Sequence, residues 1–202
     1  MPAPPQPLTP ALHFRNARAK TSLNVTIAGD SVSRSRPVLS FDQSRGFWGR
    51  LKSALVTANP HRDFRFHNRA IGSARWDHLS EARFPVLGET RLNIPGWPGF
   101  DPGRHSWLDA IAATAPDILF LGLGMNDRFG FSQEHFDAAM RALAARLPDT
   151  DVVFVTNIVP NLGGGHRLIG GPDEQNARLF VQHFLRCYAR FHGHGLIDAG
   201  RH

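Results

Sequence analysis

Hydrophobic and polar positions follow two alternating periods along this chain, in the order typical of an α/β protein. Short, nearly continuous apolar runs predict strands at 23–28, 63–67, 117–121, 151–156 and 196–198. Apolar residues at helical spacing predict helices at 46–58, 105–114 and 174–192, and one between an N-capping Ser132 and Pro148. Because strands and helices alternate, we expect a parallel sheet with right-handed crossovers and helices on both faces.

Composition divides the chain into an N-terminal tail and one domain. Residues 1–20 hold five prolines and then the basic residues Arg15, Arg18 and Lys20, a pattern typical of a flexible tail or linker, which we bound at 1–22. The rest, 23–202, is long enough for one domain with a sizeable core. Within it, 73–103 has no clear period.

Charge and cysteine content exclude several classes of protein. The net charge is +6, but the arginines are scattered, so a solvated basic surface is favoured over nucleic-acid binding. No run of 18 apolar residues predicts a membrane span, and no apolar N-terminal region predicts a signal peptide, which leaves the cytoplasm as the default. The single cysteine, Cys187, falls in an apolar helical pattern and is predicted to be a buried structural thiol.

Three polar positions follow three of the predicted strands directly. Ser31 comes after the first strand, Gly72 after the second and Asn126 after the third. In a parallel sheet, these positions share the carboxyl edge, where α/β enzymes bind ligands. Acyl transfer needs a hydroxyl nucleophile and N–H donors for the oxyanion, and Ser31, the Gly72 N–H and the Asn126 amide supply those groups. A turn at Gly72 and a helix cap at Asn126 are the alternatives.

These residues carry a resemblance to the SGNH hydrolases, the GDSL-type esterases and lipases. The first block of the family is similar to Ala28-Gly29-Asp30-Ser31, the second to Asn68-Arg69-Ala70-Ile71-Gly72, and the third to Gly124-Met125-Asn126-Asp127. The resemblance implies a flavodoxin-like three-layer α/β/α sandwich with a five-stranded parallel sheet. It also implies Ser31 as the nucleophile, with the Ser31 N–H, the Gly72 N–H and the Asn126 amide as the oxyanion hole.

The fourth block of the family, Asp-x-x-His, has no match late in this chain. Asp198-Ala199-Gly200-Arg201-His202 contains one residue too many. Three interpretations stay open. The catalytic pair lies beyond residue 202, or His202 acts with Asp198 in an altered geometry. The third covers two cases: His166 of the Gly-rich loop acts as the general base, or the protein is inactive. We therefore expect the 202-residue chain to be weakly active or inactive on activated esters, with His202 beyond hydrogen-bond reach of Ser31.

The sequence predicts a serine esterase that hydrolyses acyl or acetyl esters through an acyl-enzyme. The alternative is a catalytically impaired binding module of the same fold that holds acylated glycans or esters. No cofactor and no metal is expected; His192 and His194 lie close together in the sequence but lack a carboxylate or thiolate partner at ligand spacing. The aromatic residues of the 73–107 segment could line the substrate cleft or only pack the segment, and packing is favoured for Trp76 and Trp107.

Overall fold

The computed structural model describes residues 15–30, 47–85, 97–127, 130–156 and 172–198. They form a five-stranded parallel sheet in the order β2-β1-β3-β4-β5. The strands are β1 (Ser22–Gly29), β2 (Asp63–Asn68), β3 (Ile118–Gly122), β4 (Asp151–Val155) and β5 (Gly195–Ile197). This is the flavodoxin-like order, which confirms the predicted fold class.

Helices connect successive strands and begin and end close to the predicted positions. They are α1 (Phe47–Ala58), α2 (Trp107–Ala112), α3 (Gln133–Arg146) and α4 (Pro172–His192). Ser132 caps α3 as expected, because its side chain accepts the His135 N–H at 3.1 Å. None of the described helices combines the length and the apolar character that a membrane span requires.

The sheet separates two hydrophobic layers, and alternate residues of β3 supply both of them. Leu119 and Leu121 pack with α2, α3 and α4 on one face. Ile118 and Phe120 pack on the other face, against Trp48 of α1 and its neighbours. The central strand is therefore buried on both sides, which is why its sequence is continuously apolar.

The predicted burial of Cys187 is wrong, because the thiol is exposed. The buried stripe of α4 runs through Val181, Leu185 and Ala189, each about 1% exposed. Cys187 lies two positions past Leu185, about 200° around the helix. The prediction of a buried thiol was based on the aromatic residues of α4, and one of these, Phe191, is 85% exposed.

Part of the predicted N-terminal tail packs on the domain. Residues 15–17 donate three backbone N–H groups to the Asp151 carboxylate, at 2.9 to 3.2 Å. Lys20 pairs with Asp117, and Arg62 donates to the carbonyl oxygens of Ala17 and Arg18. These contacts lie at the amino edge of the sheet, opposite the edge on which the predicted site residues lie. Residues 1–14 of the predicted tail are outside the described part of the chain.

Candidate active site

The carboxyl ends of β2, β1 and β3 lie side by side, and backbone hydrogen bonds join them beyond the ends of the strands. The Ile71 N–H donates to the Gly29 carbonyl at 2.8 Å, and the Asp30 N–H donates to the Gly122 carbonyl at 3.2 Å. The end of β1 is therefore tied to both neighbours. Because β1 lies between β2 and β3, the first block leaves the sheet between the second and the third. Ser31 itself lies outside the described residues.

Gly72 lies in a turn and directly follows Ile71, whose N–H is hydrogen-bonded to β1. It is half-buried, and Ser73 after it has a left-handed φ of 63°. Among the described residues, no acceptor takes the Gly72 N–H. The sequence left open whether Gly72 is a turn residue or an oxyanion donor. It lies in a turn here, and the role of its N–H as an oxyanion donor stays a prediction.

Asn126 follows a loop that bends at Gly124, where φ is 117°, a conformation that favours glycine. The Asn126 Nδ2 donates to the Ala74 carbonyl oxygen at 3.0 Å, so the side chain reaches the turn that contains Gly72. An amide Nδ2 carries two hydrogens, and the second has no acceptor among the described residues. The helix cap that was the alternative role is filled by Ser132 instead.

Asp127 is a buried carboxyl in contact with the same turn. It is 3% exposed, and its Oδ1 accepts the Trp76 N–H at 3.0 Å. Burial raises its pKa to about 6, with a further increase from the charges of Asp77 and Asp30, while the Trp76 N–H and Arg75 oppose the shift. Asp30, next to the predicted nucleophile, is fully buried. Sequence motifs marked the position of Asp127 but gave no indication of its partner.

Asp198 follows β5 directly, at the same carboxyl edge, and both of its carboxylate oxygens are hydrogen-bonded. Arg186 of α4 donates to Oδ2 at 2.9 Å and to Oδ1 at 2.7 Å, and the Thr156 hydroxyl donates to Oδ1 at 2.9 Å. No sequence pattern predicted this bidentate pair. The two candidate bases, His202 and His166, lie outside the described residues.

The aromatic segment after the second block divides into a buried and a half-buried part. Trp76 and Trp107 are fully buried, as favoured from the sequence, and the Trp107 Nε1 donates to the Arg69 carbonyl of the second block at 2.7 Å. Trp97 and Phe100 stay half-buried, with ring centroids 5.1 Å apart. They line a cavity of about 60 Å³ beside Arg69.

One cluster of possible metal ligands lies in the described part of the chain. Asp77, His78 and Glu81 offer atoms within 4.8 Å of one another. The His78 Nδ1 accepts the Arg75 N–H at 3.1 Å, so the proton of the neutral ring is on Nε2, the nitrogen that faces the carboxylates. Arg75 also pairs with Asp77. The His78 nitrogen that faces the two carboxylates therefore carries a proton rather than a free lone pair for a metal.

No protein-family model matches the chain, and no curated protein matches its sequence. Among solved structures, the two-domain esterase CEX, active on acetylated mannans, matches with a TM-score of 0.54 at 16% identity. That match covers 88% of this chain and 38% of the other, so this chain spans well under two thirds of the two-domain protein.

Two further matches extend over most of both proteins. The acetyl xylan esterase AlAXEase has a TM-score of 0.52 at 16% identity, covering 88% of this chain and 77% of the other. TesA has a TM-score of 0.50 at 19% identity, covering 86% and 76%. At 16 to 19% identity, these matches show that the chain has the fold that its resemblance to the SGNH hydrolases implied.

Proposed function

We propose that this chain, which has the fold of SGNH esterases, is a serine esterase whose nucleophile is Ser31. One observation carries the proposal: the residues of all three blocks meet at one edge of the sheet. The bond from Ile71 to Gly29 joins the second block to the first, and the bond from Asn126 to Ala74 joins the third block to the turn after Gly72. Ser31 follows Asp30 directly in the sequence, and Asp30 lies at the end of β1, the strand between β2 and β3.

The Ser31 hydroxyl oxygen attacks the ester carbonyl carbon, and the negative charge develops on the carbonyl oxygen. The N–H groups of Ser31 and Gly72 and the second N–H of the Asn126 amide stabilise that charge. The tetrahedral intermediate collapses to an acyl-enzyme as the C–O bond to the alcohol breaks and the alcohol leaves with a proton. Water then attacks the acyl carbon, releases the acid and restores Ser31.

The general base is proposed to be His202, which is oriented by Asp198, takes the Ser31 proton and passes it to the leaving alcohol. This proposal requires His202 within hydrogen-bond reach of Ser31, the opposite of what the spacing of the fourth block predicts. The bonds from Arg186 and Thr156 fix the Asp198 carboxylate at the carboxyl edge. Each carboxylate oxygen can accept more than one hydrogen bond, so an imidazole N–H can still bind there. Variants His202→Ala and His166→Ala of the full-length protein separate the two candidate bases, because only loss of the true base abolishes turnover. If neither variant loses turnover, both assignments fail.

The substrate class is an acyl or acetyl ester. Two of the structural matches act on acetylated polysaccharides by their names, which makes acetylated glycans a reasonable first substrate to test. The half-buried Trp97 and Phe100 offer aromatic surface beside the second block.

The test compares Ser31→Ala with Ser53→Ala, which removes an exposed hydroxyl on α1 far from the carboxyl edge. Hydrolysis of p-nitrophenyl acetate by the full-length protein is expected to stop in Ser31→Ala and to continue unchanged in Ser53→Ala. Turnover that survives in Ser31→Ala contradicts the proposal. A wild-type protein that binds acylated glycans without turnover supports the binding module instead.

A further inference from the structure

Asp127 is the buried ionisable group at this edge that the proposed chemistry does not use. It lies next to Asn126 in the chain. Asn126 contacts Ala74, and Asp127 contacts Trp76, two residues further along the segment that follows Gly72. Asn126 donates to the Ala74 carbonyl at 3.0 Å, and Asp127 accepts the Trp76 N–H at 3.0 Å. Two neighbouring side chains of the third block therefore hold two points of the turn that begins at Gly72.

The turn is anchored from its other side by the core. Trp76 is fully buried, and its ring packs against Phe136 and Phe154, with centroids 4.7 and 5.9 Å away. Within the segment, the Ala74 N–H donates to the Ile71 carbonyl at 3.3 Å and the Arg75 N–H donates to the His78 Nδ1 at 3.1 Å. Together with the bond from Asn126, the bond from the Trp76 N–H to Asp127 ties the backbone from Ala74 to Trp76 to the third block. That backbone carries the carbonyl that holds the Asn126 amide.

We propose that Asp127 is a positioning residue for ester hydrolysis: its carboxyl holds the turn at Trp76, and the turn in turn aims the Asn126 amide and the Gly72 N–H at the oxyanion. The proposal rests on the proposed esterase function. It gives a role to a carboxyl whose second oxygen, Oδ2, is buried and has no hydrogen-bond partner among the described residues. Burying a carboxyl with one oxygen unpaired costs free energy. The hydrogen bond that Asp127 makes from this buried position is the one it accepts from the Trp76 N–H.

The strength of this hold depends on protonation. An ionised carboxylate accepts a stronger hydrogen bond from an N–H than a neutral acid does. The groups that act on Asp127 are Asp30 at the end of β1, with Arg75 and Asp77 beside Trp76, and together with burial they leave its pKa at about 6. The Trp76 bond therefore strengthens as the pH rises through that value.

The first test is spectroscopic and needs no enzymatic activity. In the full-length protein, we expect the NMR signals of the Trp76 backbone amide and the Asn126 side-chain amide to titrate together, with a midpoint near pH 6. Asp127→Asn is expected to abolish both titrations while the rest of the spectrum is kept. Asn126 signals that do not follow the Trp76 titration overturn the proposal, whether or not the protein is an esterase.

The second test is kinetic. Asp127→Ala is expected to lower kcat at least about tenfold with KM within about twofold, because the lost contact acts on the oxyanion donor. Asp127→Asn keeps an oxygen that can accept the Trp76 N–H and is expected to stay within about threefold of wild type at pH 8. A normal kcat in Asp127→Ala, a change confined to KM, or equal losses in both variants overturns the proposal.

Asp151→Asn is the matched control for these variants. Asp151 is also a buried carboxylate that accepts backbone N–H groups, but it lies at the amino edge of the sheet. We expect Asp151→Asn to lower stability without changing kcat. If the wild-type protein hydrolyses no ester, the proposed function fails, and the NMR experiment still decides the role of Asp127.

Discussion

Replacing Asn126 by Ala removes both hydrogens of its amide, and each loss has its own measurable effect, one on stability and one on kcat. One hydrogen donates to the Ala74 carbonyl at 3.0 Å, a neutral bond at a half-buried position that stabilises the fold by about 1 kcal/mol. For a domain of this size, that corresponds to a melting temperature lower by about 2–4 °C. The other hydrogen is the proposed oxyanion donor, whose loss lowers kcat by about a hundredfold or more, roughly 3 kcal/mol in the barrier.

The chain offers a matched control that loses only the first of these bonds. The Asn24 Nδ2 donates to the Ala115 carbonyl at 3.1 Å, in an exposed bond at the amino edge of the sheet. Asn24→Ala is therefore expected to lose no more than about 1 kcal/mol of stability, with kcat unchanged.

The assay is steady-state hydrolysis of p-nitrophenyl acetate, with thermal unfolding followed by circular dichroism. We expect Asn126→Ala to lose kcat with little change in KM, because the oxyanion bond forms mainly in the transition state. A raised KM at normal kcat would make Asn126 a substrate-binding residue and refute the argument. So would a kcat equal to that of Asn24→Ala.

Three further predictions concern stability and reactivity. Asp151→Ala should lower the free energy of unfolding by about 3 kcal/mol, because three backbone N–H groups lose a charged acceptor, and urea denaturation that moves by less than 1 kcal/mol would argue against that anchor. The pKa of Asp127 rises from 3.8 to about 6 on folding, so the folded protein holds its proton more tightly than the unfolded chain does. The resulting contribution to the free energy of unfolding is fully present below pH 3.8 and is lost as the pH rises through about 6. Asp127→Asn should therefore gain stability relative to wild type between pH 4 and 7, and a constant difference across urea titrations would contradict this. The exposed Cys187 should react with Ellman's reagent in the folded protein, whereas protection until unfolding would mean that it is buried after all.

The apolar pattern predicted the central strands β1, β3 and β4 well because most of their residues are buried. The run from Ile118 to Gly122 has no polar residue, and only a central parallel strand between two helical layers tolerates that pattern. Helix faces were harder to predict, as Cys187 illustrates. In α4, the aromatic residues Phe180, Phe184, Tyr188 and Phe191 share one face at helical spacing. The most deeply buried residues, Val181, Leu185 and Ala189, lie on the adjacent face.

Motif order placed the candidate site, and local contacts within it could not be read from the sequence. The positions of Gly72 and Asn126 follow from the strands that precede them, because parallel strands end at one edge. The pairings of Asp127 with Trp76 and of Asp198 with Arg186 join residues 51 and 12 positions apart. Such partners are chosen by the three-dimensional packing of loops and helices, which carries no short-range periodic signal.

The central claim, that Ser31 is the nucleophile, is tested most directly by covalent labelling. The full-length protein is treated with a fluorophosphonate, and the modified residue is located by mass spectrometry of its peptides. We predict one phosphonyl group, on Ser31, that is absent in Ser31→Ala and present in Ser53→Ala. A label on another serine, or labelling that persists in Ser31→Ala, would contradict the account.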